Sequence, residues 1–393
     1  MAVVVTPVGV KCNLQCSYCY EEPLRDAGNA GGSYDLDAIK TSVLREGSGP
    51  FLLFGGEPLL LPKEVLRDLW AWGLDQYGAN ILQTNGSLID DDHIDLFKRY
   101  KVRVGISVDG PEDLNDARWQ ATIEKTRTAT RRTQEAIARL CAEHVPMSLI
   151  VILHRFNATA EALPRLVAWF AELAVIGVRH IGLHLLEVES EEVRRRLALS
   201  VDENVHALLR LRDLQAELPQ VEFSLLRDVE SLVLGDDENA KCIWRACDPY
   251  TTAAVRGVGG HGEPTKCGRV IKDGVDFLRD STEGYERYLA LYQTPHEAGG
   301  CQGCRFFLMC RGQCPGTAIG GDWRNRSEQC PIWLRVFEQV EADLVCSGRQ
   351  PLSTSPQRDW VEREMVGNWE AGKNTTMSSI LKRGGGLSPG RVR

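Results

Sequence analysis

Thirteen cysteines in 393 residues are the main chemical resource of this chain, and they are unevenly spread. Cys12, Cys16 and Cys19 cluster near the start, a long stretch holds only Cys141, and the other nine fall between Cys242 and Cys346. Nothing before Cys12 resembles a signal peptide, and no apolar run approaches the ~20 residues of a membrane span. A cytoplasmic protein is expected, and in a reducing compartment so many thiols point to metal rather than to disulfides. Cys12-x3-Cys16-x2-Cys19 places three thiolates in one short loop. A tetrahedral zinc site wants four protein ligands, and no fourth is nearby in sequence. Three thiolates on a four-iron cluster would leave one iron open to a small molecule, so spacing favours iron–sulfur over zinc.

The second array reads Cys242-x4-Cys247-x14-Gly262-x4-Cys267, a gap, then Cys301-x2-Cys304-x5-Cys310-x3-Cys314-x15-Cys330. Its eight thiols are enough for two sites of four, either iron–sulfur clusters or a pair of structural zincs. Cys141, in EAIARLCAEH, and Cys346, in EADLVCSGR, sit in helical patterns and read as buried structural thiols.

These residues need a scaffold. Hydrophobic content of 43%, charged content of 25% and a net charge of −8 describe a soluble globular chain. The mild acidity argues against a nucleic-acid partner. Short apolar runs at Val3–Thr6, Pro50–Phe54, Ala79–Gln83, Val102–Ser107, Met147–Leu153 and His180–Leu186 read as strands. Helical patterns lie between them, at Leu36–Arg45, Pro62–Gln76, Asp91–Tyr100, Ile123–Glu143 and Ala160–Leu173. Six strands alternating with helices predict an α/β fold with a parallel sheet, whose chemistry collects at the C-terminal strand ends. The loops there are the cysteine loop, Gly55-Gly56-Glu57-Pro58, Gln83-Thr84-Asn85-Gly86 and Ser107-Val108-Asp109-Gly110-Pro111. From Lys241 glycines, prolines and cysteines crowd together, and no long periodic helix is expected until Ile332–Leu344. The boundaries expected are 1–226, 227–346 and a C-terminal extension 347–393. Its end, AGKNTTMSSILKRGGGLSPGRVR, carries five basic residues and no acid, and is expected to be a mobile tail.

The spacing C-x3-C-x-aromatic-C, with Tyr18 as the aromatic, resembles the signature of the radical S-adenosylmethionine (SAM) superfamily. That resemblance implies a [4Fe–4S] cluster on Cys12, Cys16 and Cys19, its fourth iron chelated by the methionine part of SAM. It implies reductive cleavage of SAM to a 5′-deoxyadenosyl radical, which abstracts a hydrogen atom from substrate. The other strand-end loops match in order. Gly55, Gly56 and Glu57 are then expected at the SAM amino group, although GGEP alone would pass as a turn before a helix. Thr84, Asn85, Ser107 and Asp109 fall on the cofactor side by the same match, with Ser107 at the ribose. Arg118 is expected at the SAM carboxylate and Tyr18 beside the adenine.

The second array is similar to the SPASM domain of radical SAM enzymes that mature peptides and proteins, apart from a slightly short final spacer. The fold implied is a partial (β/α)6 TIM-like barrel followed by a cysteine-rich, iron–sulfur-stapled domain. Carried over by position, Cys242, Cys247, Cys267 and Cys314 would hold one auxiliary [4Fe–4S] cluster, and Cys301, Cys304, Cys310 and Cys330 the other. With four protein ligands each, both would be closed, which suits electron relay. Trp244 would suit an apolar shell around a cluster, though a packing role is the default.

Two positions depart from the anaerobic sulfatase-maturating enzymes within that group. Gly268 stands where the resemblance places an acidic base, and Phe54 where it places a glutamine. A base, if one is needed, would come from His184, Glu187, Glu189, Tyr20 or His154, each of which reads equally as a solvated or structural residue. Cys12 lies too near the start for a preceding leader-recognition domain, so a separate leader-recognition protein is one expected partner. The others are a peptide or protein substrate and a flavodoxin- or ferredoxin-type electron donor; a membrane is not expected. The function implied is C–H modification of a ribosomally made peptide, such as a cross-link. Formylglycine formation on a sulfatase, a small-molecule dehydrogenase and a non-enzymatic iron–sulfur or zinc module are the alternatives.

Overall fold

β-Branched and aliphatic runs, separated by capped amphipathic helices, build the sheet that positions every strand-end loop. The computed structural model describes residues 3–26, 32–245, 248, 255–272 and 284–384. In it β1 (Val3–Thr6), β2 (Leu52–Leu53), β3 (Asn80–Thr84), β4 (Val102–Ser107), β5 (Met147–Leu153) and β6 (His180–Leu185) lie side by side in chain order. All are parallel, with Val4 opposite Leu52, Leu53 opposite Leu82, Thr84 opposite Ile106 and Ser107 opposite Ile150. This register keeps the C-terminal ends level, so the loops that follow β1 to β4 emerge together. Three strands were not foreseen. β7 (Glu222–Phe223) pairs with β6, β8 (Arg256–Gly259) runs parallel to β1, and β9 (Pro264–Thr265) returns antiparallel to β8. The nine-stranded sheet stays open, in the order β7-β6-β5-β4-β3-β2-β1-β8-β9.

Helix ends follow local chemistry. Asp90 caps Asp91–Arg99 through a capping box with His93, Thr122 caps Ile123–Ala142, and Gly78, at φ 75°, ends Lys63–Tyr77. The helix expected from Ala160 begins instead at Leu163, where Pro164 fits the first turn.

The chain divides into two compact units, Met1–Ser224 with Val255–Gly268, and Leu225–Ala254 with Arg269–Arg393. In the second, Trp244, Trp333, Phe337 and Phe306 form a buried aromatic core, with Trp244 edge-on to Trp333 at 4.9 Å. Its helix Glu286–Gln293 precedes the one at Cys330–Cys346, so helical structure begins before Ile332. The mobile tail also needs correction. Met377–Arg383 is a helix that buries Met377, Ile380 and Leu381, because its apolar residues recur at helical spacing despite the basic composition. Only 385–393 of that segment lies outside the described residues. Cys346 is exposed at its helix end rather than buried, and Cys141 is half-buried with its Sγ 3.7 Å from Met147 Sδ. No helix among the described residues is long and apolar enough to cross a membrane.

Asn80 shows how the sheet is tied to its helices. Fully buried, its amide nitrogen donates to the carbonyls of Trp70 (2.9 Å) and Tyr100 (2.8 Å). Asn80→Ala should lower stability by about 2 kcal/mol, because two buried carbonyls lose a donor. A denaturant titration that leaves the midpoint unchanged would contradict this role.

Candidate functional site: a three-thiol loop braced at the strand ends

The loop after β1 has no regular structure; beyond turn bonds such as Gly9 N–H to Thr6 O and Cys19 N–H to Cys16 O, its backbone finds partners in neighbouring segments. Gly56 N–H donates to Gly9 O (3.0 Å) and Glu57 N–H to Lys11 O (2.8 Å), which docks the segment after β2 on the approach to Cys12. A Cβ on Gly55 would lie 2.5 Å from Gly9 O, and one on Gly56 would lie 2.2 Å from Lys11 O. The glycine pair is therefore a close backbone approach and not merely a turn. Further along, Gln15 and Ser17 donate their N–H groups to the carbonyls of Trp119 (2.7 Å) and Ala117 (2.8 Å). Asn13 joins a third loop: its Oδ1 accepts from Asn85 Nδ2 (2.8 Å), its Nδ2 donates to Ser87 Oγ (3.0 Å), and its carbonyl accepts from Gln120 Nε2 (3.2 Å).

This bracing brings Cys12, Cys16 and Cys19 together. Burial pushes the Cys12 thiol up to about 11 and raises Cys16 and Cys19 as well. The Cys19 charge adds to the rise at both Cys12 and Cys16, while Arg25 works against it at Cys12 and Cys19 and Arg118 at Cys16. Among the described residues no three His, Cys, Asp or Glu side chains close tightly enough to hold a single ion. Thiolates that ligate different irons of one cluster stand further apart than the ligands of one ion.

Two buried carboxylates organise the neighbouring loops. Glu57 Oε1 accepts from Thr84 Oγ1 (2.7 Å) and Leu59 N (3.0 Å), and Oε2 accepts from Asn85 N (2.8 Å), joining the ends of β2 and β3. Burial raises the Glu57 carboxyl, and these three donors offset part of that rise. Asp109, fully buried, accepts from Arg118 Nη2 (3.0 Å) and Ile152 N (2.9 Å) at Oδ1. Its Oδ2 accepts from the Tyr18 hydroxyl and from His154 Nε2 (3.4 Å). Burial works to raise the Asp109 carboxyl, but Arg118, then His154 and Tyr18, outweigh it and hold it well below the usual range. The Arg118 guanidinium also lies 5.7 Å from the Tyr18 ring centroid, and its buried Nε has no hydrogen-bond partner among the described residues. Ser107 Oγ accepts from Gln83 Nε2 (2.8 Å).

The residues singled out in the four loops thus lie together at the strand ends. Asn13, Ser87 and Gln120 were not foreseen, nor were Asn115, whose Oδ1 accepts the Asp109 N–H (2.8 Å), and Asn157, whose Nδ2 donates to Asp109 O (2.8 Å). The candidate bases are dispersed. His154 is buried within the Asp109 network; His184 lies on β6, Glu187 and Glu189 lie just beyond it, and Tyr20 follows Cys19. A buried carboxyl that was not singled out, Glu21, is pushed up to about 7 by burial, with Arg25 opposing the rise. Its Oε1 is 3.7 Å from where a Cβ on Gly268 would stand. Phe54 follows β2 with its N–H on Val5 O (2.8 Å).

In the second unit, Cys301, Cys304, Cys310 and Cys330 lie within mutual electrostatic reach. Burial pushes Cys301 up to about 12 and raises Cys310 well above its ordinary value, with the neighbouring thiols adding to both. Of the other set, Cys247 lies outside the described residues, Cys267 belongs to the first unit, and Cys242 and Cys314 belong to the second, where Cys242 is exposed.

A fold with one three-thiol loop at the ends of parallel strands is matched by known proteins. Residues 6–167 match the model of the radical SAM superfamily. The serine-type anaerobic sulfatase-maturating enzyme of Klebsiella aerogenes is 28% identical over 210 residues, covering 51% of this chain and 50% of that protein. The cysteine-type enzyme of Clostridium perfringens is 32% identical over 129 residues, 30% of this chain and 35% of that protein. The chain thus spans about half the length, or less, of these curated relatives. The fold agrees with the solved structure of polyhistidine-tagged anSMEcpe with bound AdoMet, at a TM-score of 0.68 and 20% identity, over 88% of this chain and 98% of that one.

The contact of Gly56 with Lys11 can be tested directly. Gly56→Ala should cost about 2 kcal/mol or more, since backbone rather than a flexible side chain blocks the added methyl. It should also reduce the iron that the cysteine loop retains. Unchanged thermal unfolding and iron content would show that the loop is not docked there.

Proposed function

We propose that this chain is a radical SAM enzyme that modifies a C–H bond of a peptide or protein, as in the maturation of a ribosomally made peptide. The observation that carries this reading is the three-thiol loop braced by the ordered strand-end loops, next to a buried guanidinium with an unpartnered Nε. These residues fit the cofactor pair. Cys12, Cys16 and Cys19 would hold a [4Fe–4S] cluster. Gly55, Gly56, Glu57, Thr84, Asn85, Ser107, Asp109, Arg118 and Tyr18 would form the SAM site. When bound, the cluster supplies the electron that splits a sulfur–carbon bond of SAM.

The chain's own contribution is positional. Glu57 and Asp109 already engage both carboxylate oxygens with protein donors, so they shape the site by fixing the loops around it. Arg118 offers a donor that is already desolvated and would receive an anionic group at little further cost. Cys301, Cys304, Cys310 and Cys330 would hold one auxiliary cluster. Cys242, Cys247, Cys267 and Cys314 would hold the second, and a flavodoxin- or ferredoxin-type protein in the cytoplasm would deliver the electron. Peptide substrates are supported by the solved structure of native anSMEcpe with bound AdoMet and Cp18Cys peptide, which shares this fold. Formylglycine formation is the second reading, favoured by the names of the curated relatives.

Anaerobic reconstitution should load about twelve iron atoms per chain if all three clusters are [4Fe–4S]. The reduced protein should then release 5′-deoxyadenosine from SAM. Replacing Cys12, Cys16 and Cys19 together by Ala should abolish that release and remove about a third of the iron. Cleavage that survives the triple replacement would refute the assignment of the loop. Zinc in place of iron would refute the reading as a whole.

A further inference from the structure

We infer that His154 is a positioning residue, which holds Asp109 away from Arg118 Nε and so keeps that donor free for SAM. This rests on the proposed SAM site and adds to it a residue without ligand contact. As a base His154 fails on its own hydrogen bonds. Its Nδ1 accepts the Phe156 N–H (3.2 Å), so the ring proton sits on Nε2, which donates to Asp109 Oδ2. The ring is fully buried, packed between Tyr18 (centroids 5.7 Å) and Phe156 (5.8 Å). It has neither a free lone pair nor a path to a substrate.

What the ring does is set the orientation of a carboxylate. Asp109 commits Oδ1 to Arg118 Nη2 and Ile152 N–H, and Oδ2 to Tyr18 and His154. Arg118 is therefore held by a single nitrogen, although a guanidinium and a carboxylate ordinarily prefer the parallel two-bond pairing. Asn157 reinforces the arrangement: its Oδ1 accepts the His154 N–H (2.8 Å), and its Nδ2 donates to Asp109 O (2.8 Å). Without the His154 donor, Oδ2 keeps only the tyrosine, and the carboxylate is free to turn onto Nε. Arg118 would then satisfy itself internally, and an anionic ligand would have to displace that bond before binding.

Two variants separate the donor from the cap. His154→Asn keeps an acceptor for the Phe156 N–H but is too short to reach Asp109; His154→Gln places an amide donor near the position of Nε2. SAM binding to iron-loaded protein is measured by equilibrium dialysis, and the KM for SAM and kcat are taken from 5′-deoxyadenosine release. A crystal structure of each ligand-free variant reports the Asp109–Arg118 pairing. In the Asn variant SAM affinity should fall roughly tenfold, the scale of one hydrogen bond to a charged group. KM should rise with it while kcat at saturating SAM holds, and Arg118 Nε should lie on Asp109. The Gln variant should recover most of the affinity and the single-nitrogen pairing. Equal affinities in both variants and the wild type, or an Asn variant whose Arg118 has not moved, would overturn the inference. If the wild type fails to bind SAM, the SAM site itself is wrong, and the inference about it falls for that separate reason, which the ligand-free structures identify.

Discussion

An irregular loop that must present three thiols in fixed positions cannot satisfy its own backbone, and the rest of the first unit is arranged around that deficit. Helices pair their N–H and C=O groups internally and strands pair along a ladder; this loop closes only a few turn bonds of its own and takes its other partners from its neighbours. They come from three directions, the segment after β2, the loop after β3 and the stretch Ala117–Gln120, and each sits at the same end of the sheet because the register of β1 to β4 is level. The side chains that complete the brace are amides and carboxylates, which supply several bonds from one position. Burying Glu57 and Asp109 would be prohibitive without partners, and each has three or more. The two problems meet at Tyr18, a residue of the loop whose hydroxyl donates to Asp109.

How much of this could be read beforehand depends on the range of the interaction. Strand and helix positions are local patterns, so Val102–Ser107 and Met147–Leu153 match their expected limits, and the other main elements differ by a few residues at most. β2 is shorter than its apolar run because only Leu52 and Leu53 pair with both neighbouring strands before the chain turns into the glycine pair. β8 escaped notice because Arg256–Gly259, half of it glycine, carries no strand signal of its own; it is recruited by the open edge of β1. The cysteine spacings and the loop motifs were legible, but their bonding was not. Nothing about Asn13 in sequence announces that it meets Asn85 and Ser87.

The second unit meets a similar deficit with different residues. Arg287, almost wholly buried, donates to the carbonyls of Trp323 (2.6 Å), Gln313 (3.1 Å) and Asn325 (2.8 Å). One guanidinium thus fixes the stretch that runs past Cys314 towards Cys330, a region of short turns in which no strand ladder is available. Arg311, paired with Asp237, and Ser378, whose N–H also bonds Asp237, extend the tie into the C-terminal helix. That is why the segment after Cys346 is ordered further than its composition suggests. It closes a buried ion pair rather than trailing from it.

Gly268 is best understood from the same packing. A side chain there would start 2.9 Å from Tyr20 Cε2, so the absence of a residue larger than glycine and the presence of Tyr20 are two sides of one contact. The acid that the resemblance places at 268 would have to displace that ring. The corner nevertheless contains a carboxyl, carried by Glu21 on the turn that follows Cys19 and buried there beside Arg25. Glu21 is carried on the cysteine loop itself, so any displacement of the loop would carry this carboxyl with it.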